Sequence, residues 1–313
     1  MANKLINKYV WLVETIYRAG RITFEEINQQ WLDEEMDDKP IPLRTFHKWR
    51  IAAEEMFNIN IECKRIGGYH YYIDNIDDFK SGRLRNWLFS TIAVSNLLLS
   101  CQSLKERILL EDIPSGQNHL AVILDAMKEN QALNITYHSY WKDEEYNFDV
   151  EPFCVKLFRQ RWYLVALSTN EYYRKKGPAI YALDRIASLM KTGITFAMPN
   201  DWDADAYFDG FMGVLRENEY DKEIVKIKVT ASQANYLRDL KIHHSQREVE
   251  RNEQFSIFSF YLRPTFDFQQ ELLWNGPELE VLAPQWLRTM MAERIEQMLN
   301  LYKNDPNNSK KSI

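Results

Sequence analysis

The chain has 313 residues, 45% hydrophobic and 27% charged, with 39 Lys and Arg against 45 Asp and Glu for a net charge of −6. That length supports two or three domains with a sizeable core, and the acidic balance excludes a uniformly basic nucleic-acid binder while allowing one local basic face. No signal peptide is expected, the longest apolar stretch, TIAVSNLLLS, is too short to span a bilayer, and three scattered cysteines, Cys63, Cys101 and Cys154, fit no metal knuckle and point to the cytoplasm.

In chain order, residues 7–18 place Val10, Val13, Ile16 and Tyr17 at helical spacing, and Gly20 ends the run. A second helix starts at Thr23, where TFEE reads as a capping box: Thr23 caps and Glu26 reaches back. It turns Phe24, Ile27, Trp31 and Leu32 inward. DEEMDDKPIP is a polar, proline-broken loop. A third helix begins near Pro42 and reads PLRTFHKWRIAAEEMF, with Phe46, Trp49 and Ala53 inward. NINIECKRIGGYHYYI holds two β-rich runs around Gly67-Gly68, a hairpin signal. Three helices and a hairpin in this order predict a winged helix-turn-helix over residues 1–78.

Residues 79–130 read as a helical linker, broken at Pro114-Ser115-Gly116 and resumed in HLAVILDAMKEN. Over 131–200 the period changes to β-type in ALNITYHSY, YNFDVEPFCVKLF, RWYLVALS, AIYALDRIASL and KTGITF, which predicts a small β-barrel. Residues 201–222 form a polar connector. Residues 223–303 alternate strands and helices and end in a long helix over 284–303, with Trp286, Leu287, Met290, Met291, Ile295, Met298 and Leu299 expected to face in. The tail 304–313 is polar and expected to be disordered. The expected class is α+β, in several domains.

Arg44, Thr45, His47 and Lys48 crowd the first two turns of the third helix, and Arg50 follows. Lys64 and Arg65 stand beside the Gly-Gly turn. Against Glu54, Glu55 and Glu62 they leave a local positive excess. Such cations neutralise phosphates and release counterions, and Arg44 or Lys48 has the reach for a guanine edge. The bland alternative is a solvated face on a winged helix that docks protein.

Trp162-Tyr163-Leu164 in RQRWYLVAL, the downstream YALDRI, the winged helix ahead and LLWNGPELEVLAPQWLR behind together resemble the WYL-domain family of bacterial regulators, over about residues 5 to 303. The resemblance implies an Sm-like barrel, a C-terminal extension, and a ligand-responsive, usually dimeric transcription factor. It implies a nucleotide or nucleic-acid-type effector, and control of phage-defence or DNA-damage genes. Arg185 matches the arginine of the DRI motif, Tyr181 its upstream aromatic, Pro152 a strand proline, and Tyr137 and Ser139 the end of the first barrel strand. Ala179 and Ala182 stand where the family often has arginines, so Lys156, Arg159, Arg161, Arg174, Lys175 or Lys176 is needed to keep the pocket basic. Arginine supplies a planar fork for phosphate, and tyrosine supplies a face for a base; Arg185 with Tyr163 and Tyr137 is the expected centre. Trp162 and Leu164 are expected in the core.

Enzymatic signatures are missing. There is no HExxH, P-loop, G-x-S-x-G or phosphate-binding glycine fingerprint. His243-His244 is adjacent rather than at ligand spacing, and nothing places His138 with Asp149 and Glu151. The expectation is a cytoplasmic, dimeric DNA-binding regulator without chemistry of its own: no catalytic residues, no cofactor and no metal, with an operator duplex and a small effector as partners. The competing class is an interaction module that binds nucleic-acid fragments.

Overall fold

The computed structural model describes residues 2–34, 38–65, 68–75, 116–140, 144–217 and 219–303, with a few positions between 87 and 111. The chain divides into two compact units, Met1–Glu111 and Asp112–Ile313.

In the first unit, α1 (Ala2–Ala19) leads into a two-residue strand β1 (Ile22–Thr23), then α2 (Phe24–Asp33), α3 (Leu43–Phe57), β2 (Ile61–Lys64) and β3 (His70–Ile73). The strands form one antiparallel sheet in the order β1-β3-β2. The expected capping box is present: the Glu26 N–H donates to Thr23 Oγ1 at 3.2 Å, and the Thr23 N–H donates to Glu26 Oε2 at 2.8 Å. Ile27 and Trp31 are buried, as the spacing predicts, but Leu32 is 37% exposed. It lies near the end of a helix only ten residues long, whose buried residues are Ile27 and Trp31. Trp31 meets Trp11 edge-on at 4.9 Å and Trp49 at 5.4 Å, joining all three helices in one aromatic core. The Asn28 side chain pairs with both backbone groups of Ile41, at 2.6 and 3.2 Å, and so fixes where α3 starts. Gly67 and most of residues 79–115 of the expected 79–130 linker lie outside the described residues, as does the tail 304–313.

In the second unit, α4 (Gln117–Glu129) precedes β4 (Gln131–Ser139), β5 (Glu144–Phe158), β6 (Arg161–Ser168), the short α5 (Glu171–Arg174), β7 (Ala179–Ala182) and β8 (Ile186–Thr195). These strands form an antiparallel sheet in the order β7-β6-β5-β4-β8. The expected barrel does not close: among the described residues β7 and β8 are the outer strands of an open sheet. AIYALDRIASL is not one strand, because a 3-10 turn at Leu183–Arg185 separates β7 from β8. One sheet face packs Leu133, Ile135, Val150, Leu164 and Ala166 on Ile123 and Ala126 of α4. The other carries Phe153, which meets Trp202 of the connector at 4.8 Å.

After α6 (Ala204–Tyr207) comes a second antiparallel sheet, β10-β11-β9-β12, from β9 (Glu223–Thr230), β10 (Arg247–Arg251), β11 (Phe255–Leu262) and β12 (Leu279–Ala283), with α7 (Ala231–Asp239), α8 (Phe266–Trp274) and α9 (Gln285–Lys303). Leu287 and Met291 of α9 are buried and Met290 packs beside them. Trp286, Ile295, Met298 and Leu299, expected inward, are substantially exposed. A helix of 19 residues is roughly 28 Å long, whereas its strand neighbour β12, of five residues, runs roughly 17 Å. The helix outruns what it packs on. No helix among the described residues is long and apolar enough to cross a membrane.

Candidate functional site

Two places hold the residues singled out in the sequence. The first is α3. Phe46, Trp49, Ala53 and Phe57 are buried at i, i+3, i+7 and i+11. The opposite face is therefore fixed, and it exposes Arg44, Lys48, Ile51 and Glu55. Thr45 and His47 are half-buried on its flank, His47 edge-on to Phe46 at 5.4 Å. Arg50 is not on that face. It lies along the helix with its Nε 3.8 Å from Glu54, whose other oxygen accepts the Ile61 N–H at 2.8 Å and ties α3 to β2. Lys64 ends β2 and Arg65 follows it, both exposed. Leu43 and Ile51, each 51% exposed, were not singled out from sequence because apolar periodicity assigns such residues to the core.

The second place is the sheet of residues 131–195. Arg185, in the 3-10 turn, donates from Nε and Nη2 to the His138 carbonyl at 3.1 and 2.7 Å. Its guanidinium lies 3.7 Å from the Tyr140 ring centre and 4.8 Å from that of Tyr137. The Tyr137 hydroxyl accepts the Ala182 N–H at 3.2 Å, and its ring meets Tyr181 at 5.3 Å. Burial raises the pKa of Tyr137 and pushes that of Tyr181 up to about 12. Both phenols thus stay neutral. Ser139 closes β4 opposite Glu144, half-buried.

Next to Arg185, Asp184 accepts from Arg161 Nη2 at 2.6 Å, a bond that raises the arginine pKa. The Arg161 guanidinium lies 5.8 Å from the Tyr163 ring. Arg161 Nε and Asp184 Oδ1 are buried without partners among the described residues. An unmet donor and acceptor at one ion pair are costly unless a ligand or water joins them.

The turn is held from behind. Gly116, at φ +66, lets the chain pass so close that a Cβ there would be 2.5 Å from Asp184 N and Leu183 C. One turn on, His119 Nε2 is 2.9 Å from the Ile186 carbonyl. Tyr140, Gly116 and His119 were missed in the sequence. PSG marked a break there, but nothing local says what the glycine touches.

Lys156 and Arg159 do not join Arg185. Lys156 pairs in register with Tyr163 and points to the connector, donating to the Gly213 carbonyl at 2.6 Å, 3.7 Å from the Phe208 ring centre. Burial lowers its pKa to about 8. Arg159 and Gln160 form a two-residue turn with φ of 48° and 63°, without glycine, and Arg159 pairs with Glu271 of α8. Arg174 binds Glu151 at 2.8 Å. So four of the cations available to replace the arginines absent at Ala179 and Ala182 have carboxylate or carbonyl partners already.

Residues 118–190 match the WYL domain and residues 221–299 the WCX domain. No curated protein matches the chain. Among solved structures, the chain is similar to proteasome accessory factor B/C (PafBC) of Arthrobacter aurescens at 18% identity and a TM-score of 0.36, covering 93% of this chain and 46% of that one. It is also similar to a CRISPR Cas-related protein at 12% identity and a TM-score of 0.40, covering 89% of this chain and 78% of the other. The chain thus spans about half the length of the PafBC neighbour. The chain carries a WYL domain over residues 118–190, the stretch that holds Arg185, followed by a WCX domain over residues 221–299.

Proposed function

We propose that the chain is a DNA-binding transcriptional regulator, a repressor acting as a homodimer in the cytoplasm. Its first unit is read as a winged helix-turn-helix, with α3 in the major groove and β2–β3 as the wing. The observation that carries this is the outward face of α3, where Arg44 and Lys48 stand one turn apart over a rigid aromatic core. Arginine pairs with guanine or phosphate, and the apolar Ile51 suits a thymine methyl. The sheet of the WYL domain is read as Sm-like, with Arg185, Tyr137 and Tyr140 binding a nucleotide-type effector. Effector and operator then influence each other reciprocally through the dimer. The genes under its control are those the family resemblance implies, for phage defence or DNA damage, and the chain itself performs no catalysis.

A mobility-shift assay with DNA flanking its own gene tests the reading. Binding above that of competitor DNA, lost on Arg44→Ala with Lys48→Ala, supports it. Equal binding to competitor sinks it. The second reading is a protein-docking helix, favoured by the exposure of Leu43, Ile51 and Met56 on α3. It predicts that the Arg44 and Lys48 variants leave DNA binding unchanged.

A further inference from the structure

Lys176 differs from the four engaged cations. It is exposed, and its Nζ lies 4.5 Å from the Tyr172 ring centre and 5.5 Å from that of Tyr173. Beside it opens a cavity of about 460 Å³, within the size range of small-molecule sites. Tyr146, Phe148, Tyr173 and Tyr181 line it, together with Lys176 and Ala179. The walls come from the start of β5, from β7, and from α5 with the loop after it. Neither Arg185, Tyr137 nor Tyr140 lines it, and no arginine does.

The lining states a chemistry. Four aromatic rings favour a flat, apolar ligand. A single ammonium is a compact point charge without arginine's fork, and it matches one negative charge better than a phosphate dianion. The Tyr181 hydroxyl has no hydrogen-bond partner among the described residues, and with its pKa pushed up to about 12 it remains a donor. Glu144 accepts from the Tyr146 hydroxyl at 2.7 Å, adding a negative charge that disfavours a second one on the ligand.

We infer that this cavity is a second ligand site of the WYL domain, separate from Arg185, that binds a planar aromatic monocarboxylate. The ring lies among Tyr146, Phe148 and Tyr173, and the carboxylate takes the Lys176 ammonium and the Tyr181 hydroxyl. This does not rest on the DNA-binding reading.

Calorimetric titration of the full chain with naphthoate tests it, with naphthalene and adenosine monophosphate as comparators. Tyr173, Lys176 and Ala179 are exposed, so substitutions there leave the core intact, and circular dichroism verifies that. Naphthoate is expected to bind more tightly than either comparator. Ala179→Trp, which fills the cavity, abolishes binding. Lys176→Gln weakens it about fivefold, and Tyr173→Ala about tenfold. Absence of naphthoate binding, preference for adenosine monophosphate, or binding retained on Ala179→Trp overturns the inference.

Discussion

Arg185 holds the His138 carbonyl with two nitrogens, Nε at 3.1 Å and Nη2 at 2.7 Å, while its flat face rests on Tyr140. The same side chain thus ties the β7–β8 turn to the end of β4 and presents a cation beside two tyrosines. Lysine can copy the charge but not the fork. Arg185→Lys is expected to lower stability by about 1 to 2 kcal/mol, the worth of a charged hydrogen bond at a half-buried site. Urea unfolding measures it. A stability equal to wild type would mean that the fork does not hold the turn.

Gly116 sets the same turn from the other side. At φ +66 any side chain is strained, and its Cβ would meet the backbone of Leu183 and Asp184 at 2.5 Å. Gly116→Ala is expected to destabilise by about 2 kcal/mol or more, because backbone cannot yield as a flexible side chain can. The displaced turn also separates Asp184 from Arg161, so the Arg161→Ala change should cost less in that background than in wild type. A double-mutant cycle reads the coupling. Additive losses would separate the glycine from the ion pair.

What was legible in the sequence was local. The Thr23–Glu26 box, the α3 core set Phe46, Trp49 and Ala53, and strands β4 to β6 follow from short-range spacing and form as that spacing predicts. The candidate ligand set did not come together, for a physical reason. Leu164 to Ser168 of β6 are buried in succession, since α4 packs on one face and the connector covers the other. With both faces covered the alternation that would sort them vanishes. Lys156 and Tyr163 therefore fall on the connector side and Tyr181 with Tyr137 on the helix side. Gly116 and Tyr140 were invisible because their partners are distant in sequence or are backbone atoms.

Lys156 gives a pH signature. Its pKa falls from 10.5 to about 8 in the folded chain, first because of burial, while nearby Asp267 opposes the shift. Between those values the unfolded chain holds more protons, so stability rises with pH there. Below about 8 the buried charge exerts its full penalty. Relative to Lys156→Met, wild type should gain about 1 to 3 kcal/mol as pH rises from 8 towards 10.5. The Cys154 thiol, pushed up to about 11 by burial, is present in both proteins, and only its weaker Coulombic coupling to Lys156 differs between them. A flat difference across that window would show that the ammonium is as well solvated folded as unfolded.

The α3 face separates contact from scaffold by salt dependence. Each phosphate contact contributes about 0.9 to the slope of log K against log salt. Arg44→Ala and Lys48→Ala should each reduce that slope by about one contact, since both side chains are exposed on one face. Arg50→Ala should leave the slope unchanged, because Arg50 runs along the helix towards Glu54. Its stability loss should stay below about 1 kcal/mol, as for a long i,i+4 pair. Glu54→Ala should cost about 1 kcal/mol through the lost Ile61 N–H bond, again with no change in slope. Fluorescence anisotropy on one duplex across a salt series gives all four slopes. If Arg50→Ala flattens the slope as much as Arg44→Ala does, the guanidinium swings out to the phosphate on binding and the helix face is wider than its free geometry shows.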